Sequence, residues 1–308
     1  MFITRQHRTL LLAASVFTYL LVTLGGIVCV TNSSRGCPDW PGCYGQLVPP
    51  MRLDSILEYS HRVLAALTSL AILASAILGW RKARSIRWVS WPPVIAIAFL
   101  LAVIVFGAMV VLRGLEPALA ALDLGSALIV LALMLSATTV AFYRHGNPNP
   151  PDRLSFRSSF AKLALWTLGM VFIVLVGGVL VAASGSIVRC LSWPLYGGEL
   201  VLVDARGWLQ LARRLLAGLV SILIIAVVIR AWRARPGARA LRRTATMVGV
   251  LFVAEMVVGA FLLVHDSPII LQVVYSAIAS AFWALLVVLV VLAGLASPVP
   301  TEEPSQAE

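Results

Sequence analysis

The chain has 308 residues, of which 60% are hydrophobic and 12% charged, with a formal net charge of +11. A soluble domain carries about 25% charged residues, so the composition excludes a water-soluble globular protein and reads as an all-α polytopic membrane protein. The positive balance does not point to nucleic acid, because the Lys and Arg residues stand in short clusters between apolar runs, where they set topology.

Behind Arg5 and Arg8 the first apolar run begins near Leu10. It is too long for the apolar region of a cleaved secretory signal and reads as a retained span. Eight such runs, each near or above the ~20 residues that cross a bilayer as a helix, lie near 9–30, 56–80, 91–112, 119–143, 160–183, 208–231, 245–264 and 269–294. Cys29 falls inside the first and reads as a small apolar residue. His7 and His145 fall in loops on the basic side and are assigned no role.

The basic residues cluster at the N-terminus and in alternate loops: Arg81, Lys82, Arg84 and Arg87; then Arg144, Arg153, Arg157 and Lys162; then Arg230, Arg233, Arg235, Arg239, Arg242 and Arg243. Basic loops stay in the cytoplasm. Both termini are therefore expected there, in a multi-pass protein of the cell membrane, and the loop after the first span faces outward.

That outward loop carries CPDWPGC at 37–43, and EYSHR follows at 58–62 as the second span opens. Cys37 and Cys43 stand where disulfides persist and are expected to be bridged. Glu58 and His61 are three apart, so on a helix they share a face. Ionisable residues entering a span together are costly and suggest a site; the competing reading has both in the wet headgroup region.

The second half repeats the first. GGIVCVTNSSRGCPDWPGCYGQL is answered by GGVLVAASGSIVRCLSWPLYGGEL, pairing Cys37 with Cys190 and Cys43 with Tyr196. HRVLAAL at 61–67 is answered by ARRLLAGL at 212–219, pairing His61 with Ala212 and Arg62 with Arg213. Gly107 answers Gly259, and in the same register Asp123 answers Tyr275. The expected organisation is two tandem four-helix bundles, 1–143 and 161–295, with a polar linker at 144–160 and a disordered tail at 296–308.

With these residues on the page, the chain resembles the haem A synthase family, membrane enzymes of cytochrome oxidase assembly. The likeness covers eight spans, the repeat, the CPDWPGC loop and the EYSHR segment. It implies oxidation of a methyl group of haem O to the formyl group of haem A. Substrate haem is implied in the first bundle and a haem b cofactor in the second, each between axial histidines at the outer ends of the even-numbered helices. At those four positions this chain has His61, Asp123, Ala212 and Tyr275, so the haem b ligands are replaced. Implied partners are haem O, a haem O synthase and oxidase assembly proteins, within a lipid bilayer.

Each candidate has competing readings. Glu58 and His61 are a catalytic acid or base beside a haem ligand. Asp123 orients His61, joins it and Glu58 on a non-haem metal, or caps its helix. Tyr275 ligates iron as phenolate or anchors the interface. Arg62 and Arg213 grip haem propionates or snorkel. Glu255, within the seventh span, is protonated or paired with Arg213 or Arg214. His265 replaces a lost ligand or is a loop residue, and Trp40 and Pro41 form a lid or an interfacial anchor. The function is then an oxidoreductase whose electron acceptor is a membrane quinone or a redox partner, or a non-catalytic haem- or metal-binding assembly factor. A transporter built on parallel repeats is the third reading.

Overall fold

The computed structural model describes residues 3–46, 48–114, 116–146, 154–181, 205–233, 238–264 and 268–296. Among them are eight helices long and apolar enough to cross a membrane, and the chain is an all-α multi-pass membrane protein. They are α1 (Arg5–Val30), α2 (Leu53–Lys82), α3 (Arg87–Arg113), α4 (Pro117–Gly146), α5 (Ser159–Val181), α6 (Ala205–Trp232), α7 (Arg239–Val264) and α8 (Ile269–Ala296). α2, α3 and α4 run past their apolar stretches at both ends, because the helical hydrogen-bond ladder continues into the polar headgroup zone. α2 gains Asp54 in its first turn and Arg81 and Lys82 in its last, the arrangement a helix dipole favours.

Sequence neighbours pack as spatial neighbours. α1 lies against α2 and α4, α2 against α3, and α3 against α4. α5 lies against α6 and α8, α6 against α7, and α7 against α8. The two sets meet along a seam made by α1, α4, α5 and α8.

In that seam the apolar contacts are supplemented by hydrogen bonds and small residues, as expected where lipid is as apolar as the side chains. Trp283 of α8 donates through Nε1 to the Leu128 carbonyl of α4 at 3.1 Å, and its ring lies 5.9 Å from that of Phe172 of α5. Gly26 of α1 packs so closely on Ser276 of α8 that a Cβ at this glycine would overlap the serine hydroxyl. Within the first set, Ser15 and Thr138 share a hydrogen bond of 2.7 Å, and Thr138 also donates to the Leu11 carbonyl at 3.0 Å.

One expectation changes. Cys29 is disulfide-bonded, not the isolated small residue its apolar surroundings suggest; its neighbours in sequence carry no sign of a covalent partner. The described part of the linker packs on the end of α8. Ser155 donates its N–H to the Gly294 carbonyl at 3.0 Å, and the Phe156 ring lies on Gly294, where a Cβ would come within 3.0 Å.

Candidate functional site

The site is built at the head of α2, under the loop that joins it to α1. Asn32, with φ of 54°, ends α1 in the left-handed region. A single turn of 3-10 helix follows at Ser33–Arg35. Gly36 then presses on the first turn of α2: a Cβ there would collide with the Asp54 carbonyl and the Ser55 nitrogen. Ser55 answers by donating its hydroxyl to the Gly36 carbonyl at 2.7 Å. The loop is thus seated on backbone, which only a residue without a side chain allows.

Cys37 and Cys43 are bridged, as expected, and both are fully buried. Inside the closed loop, Asp39 accepts hydrogen bonds from the N–H groups of Tyr44 at 2.6 Å and Gly45 at 2.7 Å. Tyr44 and Gly45 have φ of 55° and 65°, so their amides converge on one carboxylate. The bond from Gly45 is the main influence holding the Asp39 carboxyl below its ordinary value of 3.8. Trp40, the expected lid, stands exposed at the loop's tip.

Arg62 ties this loop to the helix. Its Nε donates to Glu58 Oε1 at 3.0 Å, one turn back on α2. One terminal nitrogen donates to the Asp39 carbonyl at 2.6 Å and also to the Gly42 carbonyl. The other donates to the Cys37 carbonyl at 3.2 Å. The Arg62 and Glu58 side chains are only 11% and 7% exposed, so this ion pair is shielded from solvent, unlike the exposed pair of Arg52 and Asp54. Four of the five guanidinium donors are engaged by protein.

His61 lies beside that pair, its ring against Gly25 of α1, where a Cβ would come within 3.2 Å of Cε1. Its Nδ1 is buried with no hydrogen-bond partner. Asp123, near the start of α4, likewise has a buried Oδ1 without a partner; Gly107 of α3 is the small residue beside it. The two do not hydrogen-bond to each other. No group of three or more potential metal ligands exists among the described residues.

The fit to a haem can be read from the same atoms. A buried polar atom without a partner is costly, and among those in the first set of helices are one on the His61 imidazole and one on the Asp123 carboxylate. Imidazole is the common donor to haem iron, and His61 Nδ1 is left without a protein partner. His61 therefore fits one axial position on the first half.

The second set differs. Ala212 offers no donor atom and is exposed on α6. Tyr275 of α8 is buried and donates its hydroxyl to Glu255 Oε1 of α7 at 3.1 Å. Glu255, expected to be either protonated or paired with Arg213 or Arg214, thus takes a hydrogen bond from Tyr275. Arg213 is buried, with one terminal nitrogen 3.4 Å from the Gly178 carbonyl. His265 lies outside the described residues, as do Cys190 and Tyr196. His7, given no role from sequence, is 1% exposed, with both ring nitrogens buried and unpaired. Its loop-like position hid the extra helical turn that carries it into the packing.

Residues 8–287 match the model of a family described as cytochrome oxidase assembly protein, COX15-CtaA. The chain belongs to that family. Among its relatives are proteins named heme A synthase. That of Halalkalibacterium halodurans is 26% identical over 293 residues, covering 93% of this chain and 98% of the relative. That of Staphylococcus carnosus is 29% identical over 301 residues, covering 95% of each. That of Staphylococcus haemolyticus is 28% identical over 262 residues, covering 84% and 86%. The similarity thus runs the length of both partners and is not confined to the loop.

Proposed function

We propose that this family member is an oxidoreductase of haem A biosynthesis, oxidising a methyl group of haem O to the formyl group of haem A. Its working half is the first four-helix unit, residues 1–143. The carrying observation is the buried Glu58–Arg62 pair one turn from an imidazole with an unpaired nitrogen. The relatives' names and their length-wise similarity support the same reading.

In this reading haem O is the substrate and His61 holds its iron. Glu58, fixed by Arg62, presents a carboxylate in a water-poor place, where a set charge counts for more than in water. The methyl carbon undergoes two successive two-electron oxidations whose electrons pass to an external acceptor, a membrane quinone or a redox partner. Water supplies the oxygen that replaces the lost hydrogens, and Glu58 stabilises the positive charge on that carbon and takes up a released proton. Asp123, whose Oδ1 is buried without a partner, is the second residue of this half that would hold the haem. The outer loop, bridged by Cys37 and Cys43, closes the site from the outside. Both termini lie in the cytoplasm of a cell-membrane protein, and a haem O synthase is the natural supplier of substrate.

The test is co-expression with a haem O synthase, followed by haem extraction and chromatography. Glu58→Gln keeps the size and removes the charge; it abolishes haem A and leaves haem bound. His61→Ala loses both. A wild-type protein that makes no haem A rejects the enzyme. One observation then favours the second reading, a haem-binding assembly factor: the carboxylate at Asp123 where the relatives' resemblance implies imidazole.

A further inference from the structure

The family resemblance assigns haem b to the second half of the chain. A haem there needs axial donors and room for a macrocycle. Among the described residues, neither requirement is met. Ala212 has no donor. Tyr275 ligates iron only as phenolate, yet here the phenol keeps its proton and donates it to Glu255 at 3.1 Å, with Tyr275 3% and Glu255 7% exposed. The cavity between α5, α6, α7 and α8 measures about 220 Å³ and is lined by Leu175, Arg214, Ile224, Phe252, Glu255 and Tyr275, with further apolar side chains. Pockets for drug-sized ligands run from roughly 300 to 1,000 Å³, and a haem is larger than most of those ligands.

The polar atoms of this cavity are also satisfied in a way that the first half's are not. Glu255 and Tyr275 close on each other across α7 and α8. In the first half, His61 Nδ1 and Asp123 Oδ1 are left open. A carboxylic acid and a phenol facing one another in an apolar wall form a self-contained pair, and Glu255 has no acid counterpart in the first half, where Val103 answers it.

We infer that the second half of this chain holds no haem, and that the Glu255–Tyr275 hydrogen bond stands where a second haem would need its ligand. The chain therefore carries at most one haem, in the first half. That count rests on the His61 reading above; the haem-free second half does not.

The experiment uses the full-length protein, purified in detergent and loaded with haemin, with haem per chain measured as the pyridine haemochrome beside the visible spectrum. Wild type is expected to hold one haem per chain and His61→Ala none. Tyr275→Phe, Glu255→Gln and His265→Ala are expected to match wild type in haem content and spectrum. Two haems in wild type, a haem that survives His61→Ala, or a haem lost on Tyr275→Phe or His265→Ala overturns the inference. If His61→Ala does not fold, the Tyr275 and His265 variants decide on their own. No haem in wild type leaves the second half haem-free, as inferred, and instead removes His61 as a haem ligand.

Discussion

At the scale of single residues, Arg62 governs the site more than its place after a histidine suggests. It neutralises Glu58 and caps three loop carbonyls at once. Removing one member of a buried ion pair typically costs about 3–5 kcal/mol, because the other charge is left unpaired. Arg62→Ala should lower the unfolding temperature in detergent and speed proteolytic cleavage within 37–46. Arg62→Lys keeps the charge and should recover only part of this, since a point charge cannot serve Glu58 and three carbonyls together. Equal stability of all three proteins would show that the guanidinium does not hold the loop. Asp39 adds a pH signature. Its folded-state carboxyl lies below the ordinary 3.8, so its contribution is present above that value and disappears as pH falls through the lowered one. Asp39→Asn should therefore loosen the loop at pH 7 and differ little from wild type in strong acid, by the same proteolysis assay. Arg62 was visible in the sequence as a basic neighbour of His61, and its pairing with Glu58 four residues back follows from helical spacing, but its other partners are backbone carbonyls, which every residue has and no pattern marks.

The elements were the most legible part of the chain. Eight apolar runs became eight helices, because length and hydropathy alone decide whether a segment can satisfy its backbone inside lipid. The outer loop was legible as chemistry, since two cysteines around Trp-Pro are rare, but not as a seat. Gly36 is what seats it. A Cβ at that position would meet the Asp54 and Ser55 backbone, which cannot rotate away as a side chain would. Overpacking of this kind typically costs about 1–3 kcal/mol, so Gly36→Ala should displace the loop and reproduce the proteolysis of Arg62→Ala. Gly42→Ala is the control, because its Cβ would meet only the Asp39 carboxylate, at 3.2 Å. If the two variants behave alike, the close approach at Gly36 is not what holds the loop. What stayed hidden is which buried polar atoms find partners. His61 Nδ1 and Asp123 Oδ1 are each buried without a partner and are not hydrogen-bonded to one another, which linear spacing did not reveal.

For the whole molecule, the charge distribution and the helix order give one orientation. Arg5 and Arg8 open α1, Arg81 and Lys82 close α2, Arg87 opens α3, Arg144 closes α4, Arg230 closes α6, and Arg239, Arg242 and Arg243 open α7. Successive antiparallel helices bring all of these to one end. Aromatic rings accompany them: Arg84 lies 4.6 Å over the Trp80 ring, Trp80 meets Trp91 edge to face at 5.5 Å, and Arg8 lies 5.8 Å over Phe142. Cations over aromatic faces at a membrane surface suit an interfacial belt. The opposite end carries the bridged loop and far fewer cations, among them Arg35, packed against Gly114, where a Cβ would come within 2.7 Å of the guanidinium. The basic end should be cytoplasmic. Met51, 90% exposed at the loop end, and Arg233, just past α6, give reporters on opposite sides. Met51→Cys should react with a membrane-impermeant maleimide in intact cells, and Arg233→Cys should react only after permeabilisation. The two bridged cysteines and disulfide-bonded Cys29 leave no free thiol among the described residues to confuse the readout. The reverse labelling would put Glu58 and His61 at the cytoplasmic face, where the reducing compartment would not keep Cys37 and Cys43 paired, and the loop that seats Glu58 through Arg62 would lose its covalent closure.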